Sequence, residues 1–564
     1  MAEWEYIVVS AAGAGDHSWR MQAAGQCDPP SRAGRLATLR GSPSFPGMIH
    51  VVWFKRDLRA ADHAPLADAC AAAAGAGAAV LPLYLAEPEY WALPDTGGRH
   101  WAFIAESLAE LRAELAARGQ PLVVRIGGAV DVLDGLHRTC GIAGLWSHQE
   151  TGNAWTFDRD RAVAAWARAA GVPWVERPQS GVVRGLKSRD GWARHWDVFM
   201  ARPMVSPPVG IPPAAGIEPG PIPSASALGL GPDPCPGRQP GGRAAALSTL
   251  DSFLERRGRR YHREMSSPVT AFDACSRLSA PLAYGCLSMR EVAQATRTAQ
   301  ETAHAPGADP SWRPALDAVL GRLHWHWHCH FIQKLEDRPE SEWRNVHPAY
   351  DGLRERVFDR TLFEAWRNGL TGLPFVDACM RALAATGWIN FRMRAMLAAV
   401  AGYHLWLHWR EPGEHLARLF TDYEPGIHWN QMQMQSGTTG INTVRIYNPV
   451  KQGRDHDPDG RFTHRWVPEL AGVDDRLLHE PWRMDRTQQR SAGCVLGREY
   501  PEPVVDHLAA ARLARERIWA ARRGPAFKAE ADRIQARHGS RRSGLPSSTA
   551  PRRGRDDRQL GFEA

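Results

Sequence analysis

The sequence predicts a doubly wound, parallel α/β domain followed by a mostly α-helical domain, and three observations carry that reading. Short apolar strands alternate with helical runs from Met48 to about residue 202. A Pro/Gly-rich stretch then interrupts all regular patterning, and beyond it apolar residues recur at helical spacing with few strand signals. In order, Val51–Phe54 reads as a strand, Pro65–Ala79 as an Ala-rich helix and Ala79–Leu85 as a second strand. Trp101–Arg118 has the apolar spacing of a helix, Leu122–Ile126 is a third strand, and Val130–Thr139 is a helix. Ile142–Ser147, the helix Arg159–Ala170 and the strand Trp174–Glu176 complete the alternation. Sheets of this kind bind ligands at the carboxyl ends of their strands, but no Gly-rich phosphate fingerprint is present.

Pro203 to Pro240 holds 12 Pro and 6 Gly in 38 residues, which forbids a helix or a central strand. We therefore expect an α/β domain over 48–202, a linker over 203–243 and a helical domain over 244–520. Val376–Leu383 and Met396–Leu407 are examples of its helical spacing. Residues 521–564 read as a basic, partly disordered tail, and 1–47 as an unpatterned extension before a true domain start at Met48.

Composition excludes several classes. With 44% hydrophobic and 23% charged residues the chain is globular, neither disordered nor collagen-like. Its net charge is +8, but the tail from Ala521 supplies +6 of it (11 Lys/Arg against 5 Asp/Glu), so overall basicity is no argument for a polyanionic partner. Nine cysteines lack any C-x-x-C spacing, which fits a reducing cytoplasm better than a disulfide framework or zinc site. No apolar run reaches the roughly 20 residues of a membrane span. Tryptophan is over-used, with 23 Trp against 10 Tyr, which suggests stacking or electron-transfer work beyond ordinary packing.

Three stretches carry chemistry. Trp53-Phe54-Lys55-Arg56-Asp57-Leu58-Arg59 ends the first strand with alternating cations and an acid; by itself this suits a strand-end salt-bridge cluster. Tyr261, Cys275-Ser276-Arg277-Leu278-Ser279 and Tyr284-Gly285-Cys286-Leu287-Ser288 bring small hydroxyls and one Arg before a helix, suited either to phosphate or to simple helix capping. Gly369–Asp377, then Gly387-Trp388-Ile389-Asn390-Phe391-Arg392-Met393-Arg394, and then Thr421-Asp422-Tyr423-Glu424-Pro425 add a third group.

Together these motifs resemble the DNA photolyase/cryptochrome family, from about Met48 to about His538. Arg445–Pro449, Trp466–Leu470, His479–Trp482 and Tyr500–His507 resemble it as well. The resemblance implies FAD held through its pyrophosphate by Tyr261, Cys275, Ser276, Arg277, Leu278 and Ser279, with Cys275 standing where the family has Thr. It further implies Trp388, Phe391 and Arg394 lining the flavin, an Arg394–Asp422 ion pair beside the isoalloxazine, and Glu424 on the ribityl or adenine side. The implied activity is blue-light-driven repair of cyclobutane pyrimidine dimers in UV-damaged DNA, by a monomer. A cryptochrome-type sensor and repair of (6-4) photoproducts are the alternatives. A second, antenna chromophore of folate or flavin type is left open, with Gln149–Asn153 as a loose match.

Several positions depart from the family pattern. Its two Trp residues after the Asp-Tyr-Asp-Pro run fall on Met432 and Met434, with Trp429 three residues earlier as an alternative electron donor. Trp409 matches the middle relay Trp, and the outer one falls near Tyr350 or Trp343. His428 replaces an Asn facing flavin N5, where it could titrate in a useful range. In the run Arg322–Phe331, Trp325 or Trp327 is the expected lesion-facing aromatic. Its histidines His324, His326 and His328 and Cys329 lack a carboxylate or second Cys to complete a metal shell, so no metal is expected. No iron–sulphur spacing is found among Cys275, Cys286, Cys329, Cys379 and Cys494.

Overall fold

The computed structural model describes residues 48–323 and 329–539. Five parallel strands form one sheet in the order β3-β2-β1-β4-β5: β1 is Ile49–Phe54, β2 Ala79–Ala86, β3 Val123–Ile126, β4 Ile142–His148 and β5 Trp174–Arg177. Helices Ala64–Ala76, Gly98–Ala116, Ala129–Cys140 and Ala154–Ala169 connect them. Every strand lies within a residue or two of its expected position.

Alternate residues of β1 enter different cores. Val52 and Phe54 join a cluster with Phe253, Tyr284, Leu287 and Val292 of the helical part, whereas Ile49, Val51 and Trp53 join one with Leu133, Leu145 and Val163. Both faces are thus covered, as a parallel sheet requires. One face is covered by the part of the chain that builds the site.

The Pro/Gly-rich stretch is irregular apart from one short turn of helix at Ser226–Leu228, yet it is tied down. Its Pro219 carbonyl accepts from Val124 N–H on the edge strand β3 (2.8 Å), and its Pro212 carbonyl accepts from Val80 N–H (2.9 Å). Covering an edge strand in this way blocks intermolecular pairing. Beyond residue 243 the described chain is helical, including Pro374–Thr386, Phe391–Ala399, Arg410–Leu419, Pro425–Ser436 and His507–Ala521. The segment after Ala521 begins as a further helix, Pro525–His538, because Ile534 and His538 are buried against the body.

At the end of β1 the Asp57 carboxylate ties three elements. Its Oδ1 accepts from the Lys55 N–H (2.7 Å), and its Oδ2 accepts from His63 Nε2 (2.9 Å) and His148 Nδ1 (2.7 Å). These three side chains are the group among the described residues whose ligand atoms cluster closely enough for a metal ion. Their hydrogen bonds oppose that use. His63 Nδ1 accepts the Leu66 N–H that caps helix Ala64–Ala76, so its proton sits on Nε2 and is given to Asp57. Burial pushes the Asp57 carboxyl up, but the His63 and His148 contacts outweigh it and hold it well below the usual range.

Candidate functional site

A cavity of about 240 Å³ opens between the helices, and every residue expected to hold the cofactor lines it. The loop on its wall, Cys275–Leu278, which joins helices Pro268–Ala274 and Ser279–Ala283, is fixed from outside. Arg257 donates to the carbonyls of Asp273 and Cys275 (2.7 Å each) and Ser276 (3.2 Å), and Gln239 donates to that of Arg277 (3.0 Å). These bonds hold Arg277 at φ 61°, a left-handed conformation that costs a non-glycine residue of order 1 kcal/mol and clusters at ligand clamps. The result aims its guanidinium over the Trp388 ring at 4.0 Å.

Trp388 and Arg394 flank the start of helix Phe391–Ala399, after a left-handed Gly387 that ends the preceding helix. Arg394 donates from Nη1 (3.0 Å) and Nη2 (2.8 Å) to the two oxygens of Asp422, and from Nε to the Ile389 carbonyl (2.7 Å). This bidentate pair fixes both side chains. Burial pushes the Asp422 carboxyl up, but Arg394, a hydrogen bond from Ser279 and the Arg277 charge together hold it below its ordinary value. Burial also raises the Cys275 thiol to about 11, so it lines the wall as a neutral thiol.

The fit to FAD can be tested on the side chains themselves. Arg277 Nη1, Glu424 Oε1 and Gln431 Nε2 are buried, line the cavity and have no protein partner. A cation and hydroxyls at one wall, with a bare carboxylate oxygen at another, suit a ligand carrying a diphosphate and sugar hydroxyls. The donor set fits FAD.

His428 lines the cavity and donates from Nε2 to the Gly413 carbonyl (2.8 Å), which leaves Nδ1 as an acceptor. Burial drives its pKa down to about 3, so the expectation of titration in the useful range is corrected: this imidazole is neutral at every working pH. Met432 lines the cavity, whereas Met434 lies in a separate small one with Phe331, Lys334 and Asn430. Trp325 and Trp327, with His324, His326 and His328, lie outside the described residues. Trp429 and Trp409 are fully buried and meet edge to face at 5.9 Å. Trp429 Nε1 donates to the Tyr423 hydroxyl (3.1 Å), and Tyr423 and His428, both in ring contact or hydrogen-bonded with Trp429, are cavity residues. Trp409 is held by Asn345 Oδ1 (2.8 Å), while Tyr350 packs on His347 and Phe527, and Trp343 is 46% exposed.

Gln431 and Gln435 are cavity residues that the motifs do not mark. Helical spacing from His428 (positions +3, +4 and +7) reaches Gln431, Met432 and Gln435, and that periodicity was the available signal. At the loosely matched Gln149–Asn153, Glu150 pairs with Arg159 and Asn153 caps helix Ala154–Ala169. The described cysteines are free thiols.

A parallel α/β sheet packed on a helical flavin cavity defines a class, and comparison with known proteins names it. Residues 50–191 match the family model for DNA photolyase, and residues 319–520 that for the FAD-binding domain of DNA photolyase. The chain is 30% identical over 483 residues to a cryptochrome DASH of Natronomonas pharaonis, covering 81% of this chain and 98% of that one. It is likewise 30% identical over 483 residues to a deoxyribodipyrimidine photo-lyase of Streptomyces griseus, covering 83% and 98%. Among solved structures, a class III photolyase of Agrobacterium tumefaciens superposes with a TM-score of 0.72 at 25% identity, over 86% of this chain and 99% of that one. The chain belongs to the DNA photolyase/cryptochrome family, and FAD is its cofactor.

Proposed function

We propose that this protein is a cyclobutane pyrimidine dimer photolyase, which splits dimers in UV-damaged DNA under blue light. The observation that carries the reading is the cavity's far wall. Gln431 and Gln435 lie on the same face of helix Pro425–Ser436 as His428; Gln435 Nε2 donates to Gln431 Oε1 (3.2 Å), and Gln431 Nε2 is buried with no protein partner. An unpartnered amide donor beside a flavin site is what a flipped pyrimidine needs for its carbonyl edge. Extruding an already distorted base costs only a few kcal/mol, which such contacts and stacking can offset.

When bound, FAD supplies the light-absorbing electron donor. The chain's own residues do the rest. Arg277, Ser276 and Ser279 would hold the diphosphate, Arg394 and Asp422 would fix the edge of the ring system, and Glu424 would accept from sugar or adenine donors. Phe391, Met432 and Leu416, apolar side chains of the cavity wall, would keep water from the bound flavin. Neutral His428 offers Nδ1 as an acceptor and no proton, which counts against acid-assisted (6-4) repair at this position. The chain acts as a monomer in the cytoplasm on this reading, and no helix among the described residues is long and apolar enough to cross a membrane.

One observation favours a light sensor without repair: Met432 stands on the cavity wall where the resemblance calls for Trp. The test is irradiated oligo(dT) with reduced protein under blue light. Loss of dimers supports repair; bound flavin and bound DNA with dimers unchanged would favour the sensor.

A further inference from the structure

Arg56 belongs to the loop after β1, yet its side chain reaches two walls of the cavity. Nε donates to the Ala283 carbonyl (2.8 Å), at the end of helix Ser279–Ala283, which carries Ser279 and Leu282 of one wall. Nη2 donates to the Tyr423 carbonyl (2.8 Å) and lies 3.2 Å from Glu424 Oε2, on another wall. The Tyr284 ring backs the guanidinium at 5.5 Å, and only 14% of the side chain is exposed.

Glu424 needs such a partner. Its Oε1 is buried with no hydrogen bond, and the residue lines the cavity. Burial pushes its carboxyl up, the carboxylate of Glu150 after β4 adds to the push, and Arg56 and the Gly426 N–H oppose both. The Cys329 thiol, itself raised by burial to about 11, faces Glu424 from helix Cys329–Asp337 and brings no charge. Asp422, on the same loop, is engaged by Arg394.

We propose that Arg56 is a positioning residue for the cofactor: it ties the two walls together and keeps Glu424 ionised, so that Oε1 meets the hydroxyl or amine donors of FAD as a bare acceptor. The role rests on this cavity being the flavin site. A protonated Glu424 would present a donor hydroxyl to the same groups, losing the charge-assisted bond.

The test is FAD retention by the holoprotein on dilution, read as fluorescence of released flavin between pH 6 and 9. Wild type should give a flat profile. Arg56→Met should release FAD about tenfold more readily near pH 6.5, the equivalent of one pK unit, with the gap narrowing as pH rises and Glu424 ionises unaided. Arg56→Lys, which restores the charge, should return the profile to flat, and Arg56→Met with Glu424→Gln should abolish the pH dependence. A deficit in Arg56→Met that is equal at every pH, or no deficit, overturns the role; so does Arg56→Lys behaving like Arg56→Met. Should Arg56→Met not fold, the Lys variant and Glu424→Gln alone decide: flatness in the first and weakened retention in the second are required. Arg277→Ala separates the two readings. If it holds FAD as tightly as wild type, the flavin does not sit here and both fall; if it loses FAD while Arg56→Met is unaffected, only the Arg56 role falls.

Discussion

Arg394 and Asp422 form the best-defined pair in the cavity, bidentate with the carboxylate buried, and each was legible because it stands in a motif. Removing Arg394 takes the bidentate partner from a buried carboxylate and leaves it only Ser279 and the Arg277 charge, a loss on the order of 2 kcal/mol. Arg394→Ala should therefore lower both flavin retention and the melting temperature; an unchanged flavin content would show that the pair does not contact the cofactor. Met432 and Met434 illustrate where motif alignment stops. Two positions along a helix turn about 200°, so one Met faces the flavin cavity and the other faces a separate one. A linear motif cannot register that rotation. Trp429, three residues earlier, meets Trp409 edge to face and bonds to the cavity residue Tyr423. If these rings pass electrons to the flavin, Trp409→Phe and Trp429→Phe should each slow its photoreduction, followed by absorbance under blue light. Equal rates in both variants and wild type would remove the two rings from the path.

At the scale of elements, the strands and their connecting helices could be read from alternation alone, because a parallel sheet buried on both faces writes near-continuous apolar runs. The Asp57 junction could not. Trp53–Arg59 read as a salt-bridge cluster, and Lys55 and Arg56 do pair with Asp160 and Glu424, but Asp57 is held by two imidazoles from helix Ala64–Ala76's cap and from β4, which lie 6 and 91 residues away. Asp57→Ala leaves those donors and the Lys55 N–H unpaired, at a cost on the order of 3 kcal/mol. Urea unfolding should show that loss, and a chelator should leave the wild-type melting temperature where it is. A chelator-sensitive transition would mean that the junction binds metal after all.

The sheet part and the helical part are joined by side-chain contacts to the end of helix Arg410–Leu419 and the loop that follows it. Arg99 donates to the Leu419 carbonyl (3.0 Å), His100 to that of Phe420 (2.9 Å), and the Tyr423 hydroxyl donates to Asp95. None of these long-range pairs has a sequence signature, since each joins residues more than 300 positions apart. Burial also leaves His100 and His404 with pKa values of about 4, and His148, His415, His428 and His538 with values of about 3. Their folded values lie below the unfolded 6.5, so the unfolded chain binds more protons between those limits. Stability is therefore complete above about pH 6.5 and falls as the pH drops, by up to about 1.4 kcal/mol per pH unit for each histidine. Glu336 and Glu342, raised by burial to about 7, and Asp377, raised to about 6, act in the opposite sense but are fewer. Urea midpoints should thus fall steadily from pH 6.5 to 4; a flat profile would mean that these imidazoles are not buried neutral. The central claim is light-driven dimer repair by the flavin held in this cavity, and it is tested most directly by illuminating the reduced holoprotein with dimer-containing oligo(dT) and counting dimers. Loss of dimers that requires blue light, and that disappears in an Arg277→Ala protein unable to hold FAD, is the predicted result; dimers persisting under light with flavin and DNA both bound would contradict it.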